Sequence, residues 1–524
     1  MLLRMKNICL SVGCLFAGFG LFAQKDTVAE KFAATIKAEE LKAHLEIFAS
    51  DEFEGRETGE KGQKLAKDYL VKHYKEYGLQ PGNNGSYTQD FHLVSIENEG
   101  VSLAIGGIEL TPFEDFFYFK GLKDNTFETE ELAYVGYGID DDKYSDYEGI
   151  DVEGKVVLMY NGEPAKKGKF IFTNSEVASD WTFDRKKKME VAKAKGAKAM
   201  IVVLENYTQQ FGRFKGYLMA NRLMSPEKLP QDDFPIFYVS EEKVEALLNQ
   251  FPKLNKKIAK ARSKAKAKSM TFPLKVKMAI SEKKRLVNTE NVLAFIEGSD
   301  LKDEILVISS HFDHIGIVDG QINNGADDDG SGTVSVLELA QAFAEAKENG
   351  NGPRRSILFM NFTGEEKGLL GSEFYSDNPV FALENTVADL NIDMIGRRDA
   401  KHSKDPRYVY IIGSDKLSSD LHNWSEAANS TYTNIELDYE YNDPKDPNRF
   451  YYRSDHYNFA KHGIPVIFYF TGVHEDYHKP TDTVEKIEFN KMEEIVQLVF
   501  HTAWKIANAD SRPVVDKEND FEAK

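Results

Sequence analysis

The sequence predicts an α/β protein: a mixed central sheet with helices on both faces, interrupted by a smaller, β-rich α/β domain inserted into it. Three observations carry that prediction. The chain has 524 residues and is 41% hydrophobic, too long for one ordinary core and rich enough in apolar side chains to fill two. From about Val287 onward, continuous apolar runs alternate with helical stretches, the pattern of a sheet covered on both faces. Between about Phe127 and Leu274 the runs are shorter and carry few residues suited to chemistry, as expected of an inserted unit.

In chain order, Arg4 and Lys6 precede an apolar stretch from Ile8 to Phe22, and small Ala23 is followed by Gln24 and Lys25. Residues 1–23 therefore read as a signal peptide cleaved after Ala23, which makes the protein exported, periplasmic or extracellular. Ser11, Val12 and Gly13 ahead of Cys14 raise a lipoprotein alternative, but cleavage there would leave the apolar run Leu15 to Phe22 on the mature chain. The stretch is short for a retained anchor, so no stable membrane insertion is expected. Cys9 and Cys14 both leave with the leader, so the mature chain has no disulfide.

Residues 24–126 begin the main domain. Leu41, Leu45 and Phe48 recur at helical spacing, as do Leu65, Tyr69, Leu70, Tyr74 and Tyr77 before Gly78 stops the second helix. The loop DEFEGRETGEKG separates the two. Residues 127–275 form the insert, with strands at Gly154 to Tyr160 and Ala199 to Leu204 around an amphipathic helix that ends at Gly196. Residues 276–510 complete the main domain. Its strands are Ile305 to Ser310, Ser356 to Phe362, Val387 to Ile392, Tyr408 to Ile412 and Val466 to Phe470, and residues 511–524 are a tail.

Charge excludes some partners. The leader carries two basic residues and no acid, so its removal takes the formal net charge from −19 to about −21. Nucleic acid is not an expected partner, because neutralising phosphates needs clustered Lys and Arg. The one basic run, Lys253 to Lys268, alternates with Ala and Leu and reads as the solvated face of a helix or a loop.

In an open sheet of this kind, ligands bind in the crevice at the carboxyl ends of the strands. The residues there are metal-competent: His311 and Asp313 follow the first strand, Glu365 and Glu366 the second, Asp393 the third, and His478 the last. Between His311 and the next helix lies GADDDGSG, Gly325 to Gly332, whose three adjacent carboxylates would repel one another in a buried loop unless a cation offset them. A solvated acidic turn, or an Asp cap on the helix starting near Ser331, is the other reading. Imidazole nitrogen and carboxylate oxygen together suit zinc, and one carboxylate bridging two ions would leave each ion one further carboxylate and one imidazole. The strand ends supply that number with one acid spare, and Glu365 beside Glu366 is placed to act as a base on a bound water.

These strings together resemble a family. HFDHIG at His311, NNGADDDGSG at Asn323, FTGEEKGLLGSEF at Phe362, NIDMIG at Asn391, RSDHYNF at Arg453 and HKPTDT at His478 are similar to the co-catalytic zinc aminopeptidases. Their superfamily also holds glutamate carboxypeptidase, glutaminyl cyclase and the transferrin receptor. FEGRETGEKG at Phe53 and GLQP at Gly78 match the family's N-terminal segment, and DVEGKVVLM with AKAKGAKAMIVV resembles the protease-associated domain inserted in many members. The resemblance implies a zinc-exopeptidase fold and two zinc ions per chain, with cobalt or manganese accepted by the same ligands. The implied substrates are peptides with a free N-terminus.

By the same resemblance, Asp328 bridges the ions, one held with Glu366 and His478 and the other with His311 and Asp393. Glu365 matches the general base, and Asp313 a carboxylate that orients His311. Tyr451, three residues before Ser454, stands where related aminopeptidases place an oxyanion-binding tyrosine, although it is equally suited to lining the pocket or packing in a core. His456 reads as a structural hydrogen-bonding residue and His474 as no ligand, while His44, His73, His92, His402, His422, His462 and His501 read as surface or packing residues. His314 lies near the site without an assigned role. The transferrin-receptor branch is not enzymatic, but no ligand is missing here.

Three other functions compete. A carboxypeptidase of the same fold would grip a carboxylate tail with basic residues, for which Arg397, Arg398, Arg449 and Arg453 are candidates. A glutaminyl cyclase would use one zinc. A non-catalytic binding protein would use the insert as its interaction surface.

Overall fold

The computed structural model describes residues 25–219, 222–229, 234–263, 265 and 268–518. The expected leader, with Cys9 and Cys14, lies outside the described residues, as do residues 519–524 of the tail. The chain divides into two compact units, Met1–Gln89 with Asn291–Lys524 and, between them in sequence, Asp90–Glu290.

The first unit opens with helices α1 (Thr27–Ala33), α2 (Ala38–Phe48) and α3 (Lys61–Glu76). The chain re-enters it at the end of strand β1 (Val276–Ile296) and continues through β2 (Leu301–His311), α4 (Gly332–Glu348), β3 (Arg355–Phe362), α5 (Leu370–Asp377) and β4 (Thr386–Ile392). After these come β5 (Tyr408–Ile412), α6 (Ser419–Ala428), β6 (Glu436–Asp438), β7 (Val466–Phe470) and α7 (Phe489–Asn508). The strands lie in the order β1-β3-β2-β4-β7-β5-β6. The sheet is mixed: β3, β2, β4 and β7 run parallel to one another, whereas β1 on β3 and β5 on β7 are antiparallel.

The continuous apolar strands follow from burial on both faces. Along β2, Leu306 and Ile308 join a core with α4 residues Leu337 and Phe343 and α7 residues Ile495 and Val499. The alternate residues Ile305 and Val307 point the other way, into a second core with Leu358, Met360, Tyr375 and Phe459. Each such side chain removed from water is worth roughly 1.5–3 kcal/mol. In α7, Met492, Ile495, Val496, Val499, Phe500, Ala503 and Ala507 recur every three or four residues and are buried, so one helical stripe covers the sheet.

The second unit has its own sheet, in the order Met270–Phe272, Leu132–Tyr134, Val156–Tyr160, Ala199–Leu204, Ile236–Ser240, Phe116–Phe117. The two strands foreseen here, 156–160 and 199–204, are its fully buried parallel centre. The unit is wider than the expected 127–275 on both sides. Leu103, Ile105, Leu110 and Phe116 on one side, and Val276, Met278 and Ile280 on the other, belong to the same core as Leu158 and Ile201. Strand Thr88–Ile105 carries too many exposed polar residues to be read from apolar runs.

Candidate metal centre and substrate cleft

Strands β2, β3 and β4 are parallel and in register, so their carboxyl ends fall together: His311 pairs with Phe362, and Asp393 directly follows Ile392. A crevice at that edge collects whatever the following loops supply. The turn 326–331 before α4 supplies Asp328, and the loop after β7 supplies His478, at φ +56°.

These side chains surround Asp328 in two sets. On one side His311 Nε2 lies 3.5 Å from Asp328 Oδ1 and 3.6 Å from Asp393 Oδ2. On the other, His478 Nε2 lies 3.1 Å from Asp328 Oδ2 and 3.1 Å from Glu366 Oε2. Ligands about 2.0–2.2 Å from one tetrahedral zinc stand about 3.3–3.5 Å apart, so both sets have the spacing of atoms that share an ion. Asp328 Oδ2 and Glu366 Oε1 are buried without a hydrogen-bond partner among the described residues, a costly state for carboxylate oxygens that a cation relieves. Although burial disfavours charge on both rings, Glu366 and Asp328 push His478 up to about 11, and Glu365 and Asp393 hold His311 well above its ordinary value. The pocket is one that stabilises positive charge, and its nitrogen and oxygen donors fit zinc.

The three adjacent aspartates part company because each meets a different neighbour. Asp327 accepts from Gly396 N at 2.6 Å and faces His474 Nε2 at 3.2 Å. Asp329 accepts from the backbone N–H of His311, Gly332 and Met394, fixing the start of α4 to the ends of β2 and β4. Only Asp328 is left to face both histidine sets. Asp327 and Asp329 are thus held by backbone donors and, at Asp327, an imidazole, while burial, Asp393 and Asp328 still raise the Asp329 carboxyl well above its ordinary range. His474, read from sequence as no ligand, is the imidazole on Asp327.

The layer behind the ligands is polar and buried. Ser454 Oγ donates to Asp393 Oδ2 at 2.8 Å, and Asp482 of HKPTDT accepts from Asp327 N and Asp328 N. Asp313 meets His311 Nδ1 with its backbone carbonyl at 3.1 Å, its carboxylate lying farther off at 3.8 Å. The Asp313 carboxylate instead accepts from Thr58 Oγ1 at 2.7 Å and Glu365 N at 3.1 Å, and so positions Glu365. Burial, with Glu366 and Asp393 adding and His311 opposing, raises the Glu365 carboxyl well above its ordinary range.

Glu365 faces a cleft that it lines with Asp328, Asp393, Met394, Phe450, Arg453, Phe468, Phe470, Val473 and Tyr477. Tyr451 is not brought there. It is buried in the apolar layer, its ring packed on His456 and against Gly413, because the short helical turn Phe450–Tyr452 points Phe450 toward the cleft instead. The tyrosine that reaches the cleft is Tyr477, stacked on His478 at 3.8 Å. It is the residue before a predicted ligand, and that adjacency was the available signal. Also unassigned from sequence was His314, fully buried with Nδ1 2.9 Å from Glu366 Oε1; its place three residues past His311 was the only pointer.

Residues 291–503, which hold every one of these metal-facing side chains, match peptidase family M28, and residues 128–247 match the PA domain. The match to peptidase family M28 thus covers about two fifths of the chain. A probable leucine aminopeptidase of Arthroderma otae is 31% identical over 231 residues, 42% of this chain and 58% of that protein. A probable zinc metalloprotease of Pyrenophora teres f. teres is 35% identical over 130 residues, 24% of this chain and 27% of that protein. The chain spans little more than half the length of the first of these relatives and less of the second. Its fold is shared with the aminopeptidase from Aneurinibacillus sp. strain AM-1, at a TM-score of 0.59 and 20% identity over 94% of this chain and 98% of that one.

Within the residues that match M28, the four arginines considered as carboxylate grips have different surroundings. Arg397 pairs with Asp476 at 3.0 Å, Arg398 pairs with Glu488 at 2.6 Å, and Arg449 lies over the Tyr452 ring. Only Arg453 among them lines the cleft, beside three carboxylates. No helix among the described residues is long and apolar enough to cross a membrane.

Proposed function

We propose that this protein is an exported two-metal aminopeptidase that removes apolar residues from the amino end of peptides. The observation that carries the reading is Asp328, whose two oxygens face separate imidazole–carboxylate sets. His311, Asp393 and Asp328 would hold one zinc ion and His478, Glu366 and Asp328 the other, with cobalt or manganese accepted by the same donors. Two divalent ions supply Lewis acidity, lowering the pKa of water toward neutrality and polarising a carbonyl.

The chain's own residues do the rest. Glu365 takes the proton of the attacking water on its carboxylate and returns it to the nitrogen of the leaving amine as the C–N bond breaks. Asp313 holds Glu365 in place through its backbone N–H. Tyr477, at the cleft wall beside His478, is placed to donate its hydroxyl to the developing oxyanion. Met394, Phe450, Phe468 and Phe470 offer an apolar wall to the side chain at the cleaved position, and the acidic floor suits a free amine better than a carboxylate tail. Export rests on the basic, apolar and small-residue order of residues 1–23.

The test compares leucyl and phenylalanyl peptides with their N-acetylated counterparts on zinc-loaded protein, together with metal analysis. Cleavage from the amino end is expected, at least about 100-fold slower when the amine is blocked, with two zinc ions per chain. Removal of residues from the carboxyl end of blocked peptides, or a single metal per chain, would overturn the reading.

A further inference from the structure

His314 lies on the loop after β2 and none of its surface is exposed. Its backbone is pinned, donating to Arg56 O at 3.2 Å and bridging to Glu57. Its ring is wedged against the turn that carries Asp328, so closely that a Cβ at Gly325 would stand 2.6 Å from ring atoms Cγ and Cδ2. The ring therefore has one place to be. There Nδ1 is 2.9 Å from Glu366 Oε1 and 3.8 Å from Asp328 Oδ2, and the ring centre is 5.8 Å from that of His478. His314 and His478 thus flank the same two carboxylates. Yet neither nitrogen of His314 makes a hydrogen bond among the described residues, and neither do Glu366 Oε1 and Asp328 Oδ2. Nδ1 and Oε1 are near each other without the alignment of a donor and an acceptor, as two ligands directed at one ion would be.

We propose that His314, through Nδ1, is a further ligand to the metal held by Asp328, Glu366 and His478. The proposal rests on the two-metal reading above and adds an asymmetry to it. One ion would have two imidazoles and two carboxylates, the other one imidazole and two carboxylates, with Asp328 shared. Borderline ions favour nitrogen, so the position with two imidazoles fills first.

The test uses full-length protein loaded stepwise with cobalt(II), whose absorption and paramagnetically shifted proton resonances report its ligands. The doubly loaded wild type is expected to show three shifted, exchangeable imidazole N–H signals, from His311, His314 and His478. Two signals would overturn the proposal, and this measurement needs no variant to fold. In His314→Ala, one of the two cobalt ions is expected to bind about 10–100-fold more weakly, with a changed visible band, while the other is unaltered. His314→Gln, whose amide could hold Glu366 by a hydrogen bond but offers no ring nitrogen, is expected to behave like the alanine variant. Wild-type affinity and spectrum in His314→Gln would mean that His314 only positions Glu366. Loss of this ligand while two ions still bind and peptides are still cleaved would leave the aminopeptidase reading standing.

Discussion

Glu365 and Glu366 are adjacent, yet what each carboxylate meets gives them different work. Glu366 Oε2 sits 3.1 Å from His478, on the far side of Asp328, whereas Glu365 is held by its backbone N–H on Asp313 and lies on the open cleft. Glu365→Gln keeps the shape and removes the proposed proton acceptor. Its kcat is expected to fall by about 10²–10⁴-fold, with KM within a few-fold of wild type and unchanged zinc content. Loss of zinc, or a rise in KM alone, would show that Glu365 holds metal or substrate instead. The residue types at the strand ends were legible because the parallel sheet dictates where its loops converge. Which of Asp327, Asp328 and Asp329 faces the site was not legible from spacing, since backbone donors at Gly396, Met394 and Gly332 divide them. Tyr451 and Tyr477 are both tyrosines beside a recognisable string, and only the direction of the turn at 450–452 separates them.

Between elements, buried polar side chains fix the loops that the strands cannot. Arg56 donates to the carbonyls of Phe48, Phe312, Asn324 and Gly325, tying the end of α2 to the loops that carry the proposed ligands His311 and Asp328. The string FEGRETG marked this loop in the sequence, but the carbonyls of Phe312, Asn324 and Gly325 lie 256 to 269 residues from Arg56 and had no local signal. Helix α4 carries a different kind of group. Glu338 is buried against His44 of α2, 3.5 Å away, with burial and Glu40 raising its carboxyl to about 8, while burial lowers His44 to about 4. Both are neutral at pH 7, so the contact is not an ion pair. The folded state keeps the Glu338 proton up to about pH 8 and the unfolded chain releases it near its ordinary 4.5. Glu338's contribution to stability is thus fully present below pH 4.5 and is lost as pH rises through 8. Glu338→Gln removes that penalty. Its advantage over wild type in denaturant unfolding is expected to grow between pH 5 and pH 9 by on the order of 3 kcal/mol. A constant difference across that range would mean that Glu338 is ionised in the folded protein.

At the scale of the whole chain, the two compact units have separate cores: Leu306, Leu337 and Val499 belong to one, Leu158, Ile201 and Phe237 to the other. The insertion was legible as a change in pattern near residues 127 and 275, but the reach of the compact unit around it to 90–290 was not, because its flanking strands alternate with polar residues. This segregation separates the energetics of metal from those of the insert. Every proposed ligand lies in the first unit, where the carboxylates of Asp328, Glu366 and Asp393 crowd around His311 and His478 and favour positive charge between them. An ion that binds only the folded state adds RT ln(1 + [L]/Kd), about 4 kcal/mol at a thousandfold excess over Kd. For a unit of this size that corresponds to a rise of roughly 6 °C per ion in the unfolding midpoint. Scanning calorimetry of the full chain is therefore expected to show two transitions, with a chelator lowering one by about that amount and leaving the other in place. Intrinsic fluorescence can assign them, because the first unit holds Trp424 and Trp504 and the second Trp181. A chelator that shifts both transitions equally would show that the insert unfolds with the metal-bearing unit. One that shifts neither would show that the carboxylates tolerate one another without a metal, and the reading of Asp328 as a shared ligand would lose its energetic basis.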